Sequence, residues 1–460
     1  MDESNRPAGA GLPAWQRAVL APVLALAACG LAYRAVVRGS PPTFIVYAPP
    51  NPRPVVSYWP PEAKCDSDPW TGRLTRVDQH LLLLTVRGSP EERGMAHGML
   101  VGSEIRGLVT GLRKHLCPVQ DPKDETPPPN PQYDMDLPEG QDEELRQRYQ
   151  ERVSCARAMG AYLEPDVSAE LKTCALAAEV DPDELLLAQL FGDINLAMGY
   201  SPYCSSFAAF GPATSGGKLI LGRDFDYAGY GLEGGTPMVL QEIPAGAGAG
   251  RPFVTIGYAG IVNGWTAMNA DGLCASNNTL FSGVDSMEGL STCFMLRKIV
   301  ERARTVEDGL EIIRKGPRAR TTGMLVAGRN RAGEWDARFV EFDHASVAVI
   351  EPQEGIVLGT NTCRKLVTRA GTPAEIPSCA RWRALNAHLL SRFGELSFDD
   401  LTENPVALEG VYMDINLHCA LLDPAGQRFR LAVATGDGEP AATKPFRGFR
   451  IEAARVVEGP

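Results

Sequence analysis

The chain has 460 residues, 44% of them hydrophobic and 22% charged, the balance of an ordinary globular protein with room for one large domain or two smaller ones. Its formal net charge is −11 with no Lys/Arg cluster, which excludes the electrostatic footprint of a nucleic-acid binder. The eleven cysteines contain no CxxC pair and the six histidines no metal-ligand spacing, so a zinc site is not expected.

Residues 19–33 (VLAPVLALAACGLAY) form an uncharged apolar run between Arg17 and Arg34. The run is short for a membrane span, which needs roughly 20 apolar residues, and Pro22 weakens it further. A positive start, a short apolar stretch and small residues at its end read as an export signal. Leu26-Ala27-Ala28-Cys29 is similar to a bacterial lipobox, which makes Cys29 the candidate lipidation site. An uncleaved anchor or a buried core helix are the alternatives for residues 1–40. Residues 41–78 are Pro-rich and read as an extended tether. Residues 79–203 are mainly helical: LLLLTV is strand-like, and helical patterns follow to Leu116, over Glu143 to Leu163 and over Ser168 to Gly199. A Pro- and acid-rich loop from Pro118 to about Asp142 interrupts them.

From Cys204 the period changes. Short β-like runs (SSFAAFG, KLILGRDFDY, MVLQEI, FVTIGYAG, CASNNTL) are separated by Gly, Asp or Asn turns. A helical stretch covers about Ser286 to Arg314, with Thr305 as N-cap and Asp308 at the capping-box position. Strands resume from GMLVAGR to GIVLGTN, a helix covers Ala380 to Phe393, and a final hairpin turns at DPAG. This order indicates an α+β protein in which helices cover sheets. In an exported protein Cys363 with Cys379, and Cys65 with Cys117, are candidate disulfide partners, whereas Cys155, Cys174 and Cys293 read as small buried hydrophobes.

The sequence has no HExxH, GxxxxGK[ST], GxSxG or post-strand GxGxxG, so zinc, P-loop and serine-triad chemistries are unsupported. It does have Tyr203-Cys204-Ser205-Ser206-Phe207, a turn at Ser215-Gly216-Gly217, and then a strand carrying Arg223 and Asp226. A hairpin folds Arg223 and Asp226 back toward the start of its first strand, where Cys204 sits.

The Cys-Ser-Ser-Phe start followed by GKLI-GR-x-FD resembles the N-terminal-nucleophile cysteine hydrolases, and among them the penicillin acyltransferase-like autoproteolytic acyltransferases. These are related to bile-salt hydrolases and acid-ceramidase-like amidases. Further motifs follow in the family's order over roughly residues 80 to 450. They are Gly88-Ser-Pro-Glu-Glu-Arg-Gly94 with His97-Gly98, Met268-Asn269 to Gly272-Leu273 with Asn277-Asn278, Gly359-Thr360-Asn361, and Ser378-Cys-Ala-Arg381-Trp382.

The resemblance implies a four-layer αββα sandwich with a helical pro-segment (79–203) ahead of a catalytic domain (204–460). It implies autocleavage between Tyr203 and Cys204, after which the new α-amine serves as base to the Cys204 thiol. Arg223 would favour the thiolate and Asp226 would orient the amine. Asn278, in preference to Asn277, and Asn361 would supply amides to the oxyanion, and Arg381 would support the charge network. His97 and His418 read as structural. Asp224 stands where the family usually has Asn and is expected to add negative charge beside Arg223. The implied substrate is a small-molecule amide with a linear C–N bond, attacked by hydrolysis or acyl transfer without metal or organic cofactor. The N-terminal segment would place the chain at a membrane facing the periplasm or the cell exterior. A lipid-amide or acyl-homoserine-lactone hydrolase, and an unprocessed ligand-binding lipoprotein, remain as alternatives. The acyl group and the oligomeric state stay open.

Overall fold

The computed structural model describes residues 72–116, 141–196 and 203–459, except 228, 230–231, 233–234, 247, 372–378, 400–403 and 454. The signal or anchor segment with Cys29, most of the tether, Cys65, Cys117 and Ser378 lie outside the described residues. The described residues belong to one unit, Cys65–Pro460.

Upstream of Cys204 the chain forms β1 (Gly72–Arg76), β2 (Leu82–Gly88), α1 (Pro90–Leu100), α2 (Gly102–Leu116), α3 (Gln141–Gly160), α4 (Pro165–Ala178) and α5 (Pro182–Leu196). The start of α1 is set locally. Ser89 Oγ accepts from Glu92 N, Glu92 Oε2 accepts from Ser89 N at 2.7 Å, and Pro90 takes the first turn. Gly94 and Gly98 lie on one face of α1 and let it touch α4. A Cβ at these positions would stand 2.1 Å from Glu170 O and 2.3 Å from Cys174 O. The helix expected over Ser168 to Gly199 is two helices, broken where Glu179 takes a left-handed conformation (φ 57°).

Downstream lie β3 (Tyr203–Gly211), β4 (Gly217–Asp226), β5 (Pro237–Pro244), β6 (Phe253–Tyr258), β7 (Thr266–Asn269), β8 (Cys274–Thr279), α6 (Thr292–Arg302) and α7 (Val306–Lys315). They are followed by β9 (Thr322–Arg329), β10 (Trp335–Phe342), β11 (Val347–Ile350), β12 (Ile356–Gly359), α8 (Ala380–Ser391), β13 (Asn416–Asp423), β14 (Arg428–Val433), β15 (Arg447–Glu452) and β16 (Arg455–Glu458). The expected Thr305–Asp308 capping box is formed and starts α7. That cap also ends the single helix expected over 286–314 and divides it into α6 and α7.

The strands form a nine-stranded sheet, β1-β2-β5-β6-β7-β8-β9-β10-β11, and a seven-stranded sheet, β12-β3-β4-β13-β14-β15-β16. All pairings are antiparallel except β2 with β5. Strand alternation divides the apolar residues among three layers of core. One face of the larger sheet (Leu84, Leu240, Ala275, Val326) packs on helices α1 to α7. Its other face (Leu83, Val239, Met268, Leu325) meets Leu221, Ala420 and Phe429 of the smaller sheet. The outer face of the smaller sheet (Phe207, Ile220, Leu421) is covered by Leu385 and Leu389 of α8. The molecule is the expected α+β sandwich of helices, two sheets and a helix. Two boundaries differ from expectation. The Pro-rich tether does not extend to residue 78, because Gly72–Arg76 pairs with β2. The mainly helical segment 79–203 also supplies β2, so the larger sheet runs across the Tyr203–Cys204 junction.

A buried ion-pair cluster joins the same two parts. Arg93 of α1 and Arg297 of α6, each at most 2% exposed, both donate to Glu170 of α4 (2.8 and 2.7 Å) and to Glu242 of β5 (3.0 and 2.8 Å).

Candidate active site

The β3–β4 hairpin places Cys204 opposite Phe225, Ser206 opposite Arg223 and Tyr203 opposite Asp226. Alternation therefore puts Cys204, Arg223 and Phe225 on one face, and Ser205, Asp224 and Asp226 on the other. On the first face, Arg223 Nη2 lies 2.9 Å from Cys204 Sγ. The thiol is buried, and burial pushes it above its ordinary range, with the nearby Arg223 guanidinium opposing that shift.

The main chain of Cys204 is held separately. Its N–H donates to Asn361 Oδ1 at 2.8 Å, and its carbonyl accepts from Arg381 Nη1 at 3.1 Å. Arg381 Nη2 also donates to Asn361 Oδ1 (2.7 Å), and its Nη1 stands 3.7 Å from Asp226 Oδ2. Asp226 is fully buried, and its Oδ1 accepts from Met413 N and Asn416 Nδ2. Cys204, Arg223, Asp226, Asn361 and Arg381 thus meet at the open end of one hairpin. Tyr203 lies at that end, 38% exposed, with the Arg381 guanidinium 5.5 Å from its ring centre.

Cys204 and Arg223 open onto a small cavity walled by Phe191 and Gly192 of α5, Phe225, Trp265, Asn277 of β8 and Cys293 of α6. Asn278 does not reach it. Side chains alternate along β8, so Asn278 points between the sheets, where its Oδ1 accepts from Ser206 Oγ at 2.7 Å and its Nδ2 donates to Gly359 O. Asn277 is the side-chain amide on the cavity side. Its Nδ2 makes a long contact to Cys293 Sγ (3.7 Å), and among the described residues its Oδ1 has no hydrogen-bond partner. Asn361 also differs from expectation: it sits at the nitrogen of Cys204, and its Nδ2 donates to Thr279 O at 2.8 Å.

Asp224 does not add the expected charge beside Arg223. Its side chain is on the opposite face, hydrogen-bonded to Asn416, and burial together with Asp226 pushes its carboxyl well above the usual range. His97 is structural, its buried Nε2 accepting from Gly260 N at 3.0 Å. His418 pairs with Thr266 Oγ1 and lies against Phe225. Cys363 and Cys379 are free thiols rather than a disulfide; Cys174 is buried, Cys155 is half-buried, and Cys293 borders the cavity.

The site is thus a cysteine-headed hairpin at the mouth of a helix-covered double sheet. Residues 213–437, just under half of the chain, match the family "Acyl-coenzyme A:6-aminopenicillanic acid acyl-transferase", so this stretch is similar to the penicillin acyltransferase-like domains. The match begins downstream of Cys204, whose place is given by the hairpin geometry. An uncharacterized protein of Archaeoglobus fulgidus is 22% identical over 305 residues, and protein dcd1A of Dictyostelium discoideum is 22% identical over 313. The alignments cover 62% and 61% of this chain, which spans 47% and 64% of those proteins. Among solved structures, the Caenorhabditis elegans ortholog of N-acylethanolamine-hydrolyzing acid amidase aligns with a TM-score of 0.36 at 13% identity, over 48% of this chain and 93% of that one. A mutant conjugated bile acid hydrolase from Clostridium perfringens aligns with a TM-score of 0.32 at 10% identity, over 54% and 97%.

Proposed function

We propose that the chain is a self-processing cysteine amidohydrolase or acyltransferase with Cys204 as nucleophile. The observation that carries this reading is the double hold on Cys204: Arg223 Nη2 at 2.9 Å from its Sγ and Asn361 Oδ1 at 2.8 Å from its N. In processing, Sγ attacks the Tyr203 carbonyl, the Tyr203–Cys204 C–N bond breaks, and the nitrogen takes a proton. Water then cleaves the thioester, leaving a Tyr203 carboxylate and a free Cys204 amine and thiol. The new amine stays at Asn361, which Arg381 links to Asp226, and takes the thiol proton in each turnover. The thiolate attacks the substrate carbonyl, the oxyanion forms beside Asn277, and the leaving amine recovers the proton. Water or an acceptor amine resolves the acyl-enzyme.

Phe191, Phe225 and Trp265 support an apolar acyl group in the cavity. The apolar run at 19–33 and Cys29 would tether this activity to a membrane, which a lipid adduct on Cys29 in the exported protein would establish. Among the described residues, no helix is long and apolar enough to cross a membrane. The test of the reaction is release of p-nitroaniline from apolar N-acyl-p-nitroanilides. Wild-type protein should release it, whereas Cys204→Ala and Arg223→Leu should not. Equal rates from Cys204→Ala and wild type would end the assignment.

A further inference from the structure

Behind the hairpin, on the face away from the cavity, two carboxyl groups share one site. Asp224 and Asp226 lie at i and i+2 of β4, point the same way, and are fully buried. One donor, Asn416 Nδ2, serves both: it is 3.0 Å from Asp226 Oδ1 and also bonds Asp224 Oδ1. Neither Oδ2 has any other hydrogen-bond donor within reach among the described residues. The surrounding charges and titratable groups come from four elements. They are Arg223 on β4 itself, Cys204 on β3, Cys419 on β13 with its Sγ 3.8 Å from Asp224 Oδ1, and Arg381 on α8. His418, also on β13, faces Thr266 instead. Arg223 is committed to the Cys204 thiol and, through Nη1, to the main-chain oxygen of Asp224. Two guanidiniums therefore face three potential anions: the Cys204 thiolate and two carboxylates. Two buried carboxylates that share one strand face and one donor do not both ionise.

We propose that Asp224 carries a proton and donates it to Asp226, acting as a positioning residue that keeps Asp226 anionic and fixed beside Arg381. The catalytic consequence rests on the reading of Cys204 as nucleophile; the proton itself does not. Burial first and Asp226 second push Asp224 well above the usual carboxylate range. Burial also raises Asp226, opposed first by its hydrogen bond with Asp224. Arg381, which Asp226 steadies, reaches the Cys204 carbonyl and Asn361, so a shift of Asp226 would be felt where the Cys204 nitrogen is held.

The sign of the pH dependence follows. In the unfolded chain Asp224 titrates near ~3.9. In the folded chain it titrates higher, so between the two values the folded state binds the extra proton and stability falls as pH rises. Once the proton leaves, two adjacent carboxylates repel each other beside the thiolate, and turnover declines on the alkaline side.

The experiment compares full-length Cys204→Ala with Cys204→Ala/Asp224→Asn by thermal melting across pH and by infrared spectroscopy. An asparagine donates to Asp226 without titrating. The Cys204→Ala protein should therefore lose melting temperature relative to the double variant as pH rises above the ordinary carboxylate range. It should also show a protonated-carboxyl band near neutral pH that the double variant lacks. In otherwise wild-type protein, Asp224→Asn should retain turnover and extend the alkaline limb. Asp224→Ala, which removes the donor to Asp226, should slow turnover by roughly tenfold or more, as expected for a lost buried hydrogen bond. Parallel melting curves with the same protonated-carboxyl absorption in both proteins would overturn the proposal, whether or not the protein processes itself. If Asp224→Asn does not fold, Cys204→Ala/Asp224→Ala takes its place in the difference spectrum, because burial also raises the Glu242 and Asp193 carboxyls and only a band that is lost with Asp224 reports its proton.

Discussion

At the scale of single residues, the proposed chemistry turns on which of two adjacent asparagines faces the reacting atoms. Asn277 lines the cavity with Cys204, and Asn278 is buried between the sheets against Ser206 and Gly359. Asn277→Ala should therefore lower kcat by about 10²–10³-fold, the usual cost of an oxyanion donor, with little change in melting temperature. Asn278→Ala should do the reverse, lowering stability by about 1–3 kcal/mol through unsatisfied buried partners while sparing kcat more than Asn277→Ala does. Steady-state kinetics and thermal melting on the two variants separate the roles. The family resemblance points to an asparagine here but not to which one, because neighbouring strand residues face opposite ways and the parity depends on what covers each face. The residues of the hairpin were easier to read. Once the turn at Ser215-Gly216-Gly217 is recognised, Arg223 and Asp226 must return to the level of Cys204. That Asp224 faces away from Arg223 needed the same alternation, together with the position of Asn416 almost two hundred residues later.

At the scale of elements, helix α5 forms a wall of the candidate acyl pocket although it precedes the junction. Gly192 borders the cavity, and a Cβ added there meets nothing within 4 Å. Gly192→Leu should fold normally and fill part of the pocket. It should cut kcat/KM for long acyl groups by about 10–200-fold, the range in which methylene-sized changes discriminate, while sparing short ones. A series of N-acyl-p-nitroanilides of increasing length measures this.

The buried cluster of Arg93, Arg297, Glu170 and Glu242 joins α1 and α4 to β5 and α6. Glu170→Gln would leave both guanidiniums short of countercharge and should cost roughly 3–5 kcal/mol in denaturant unfolding. Elements with strong periodicity or a local cap, such as α1, α7 and the β13–β14 hairpin, were legible. β1 was not, since GRLTR has only a few residues and adjoins Pro-rich sequence, and its strand character comes from pairing with β2. The β15–β16 hairpin was likewise passed over, because its short strands are stabilised by their neighbours more than by their own pattern.

At the scale of the whole molecule, the sandwich is continuous across the junction that the proposed chemistry cuts. β2 pairs with β5, and helices α1 to α5 cover the same face of the larger sheet as α6 and α7. Cleavage would therefore leave two pieces sharing one core, which should co-elute in native gel filtration and separate only in denaturant. The layer order was legible in the sequence only through the family resemblance. Strand patterns indicate sheets, but the pairing order depends on contacts between residues far apart in the chain, which periodicity does not encode.

The most direct test is the intact mass and N-terminal sequence of the purified full-length protein, measured in denaturant beside Cys204→Ala. Self-processing at Cys204 predicts two fragments from the wild type, one beginning at Cys204, and a single uncut chain from the variant. A single stable chain from both, or the same cut in both, would contradict Cys204 as the self-processing nucleophile and shift the weight to a protein that binds small ligands without cleaving them.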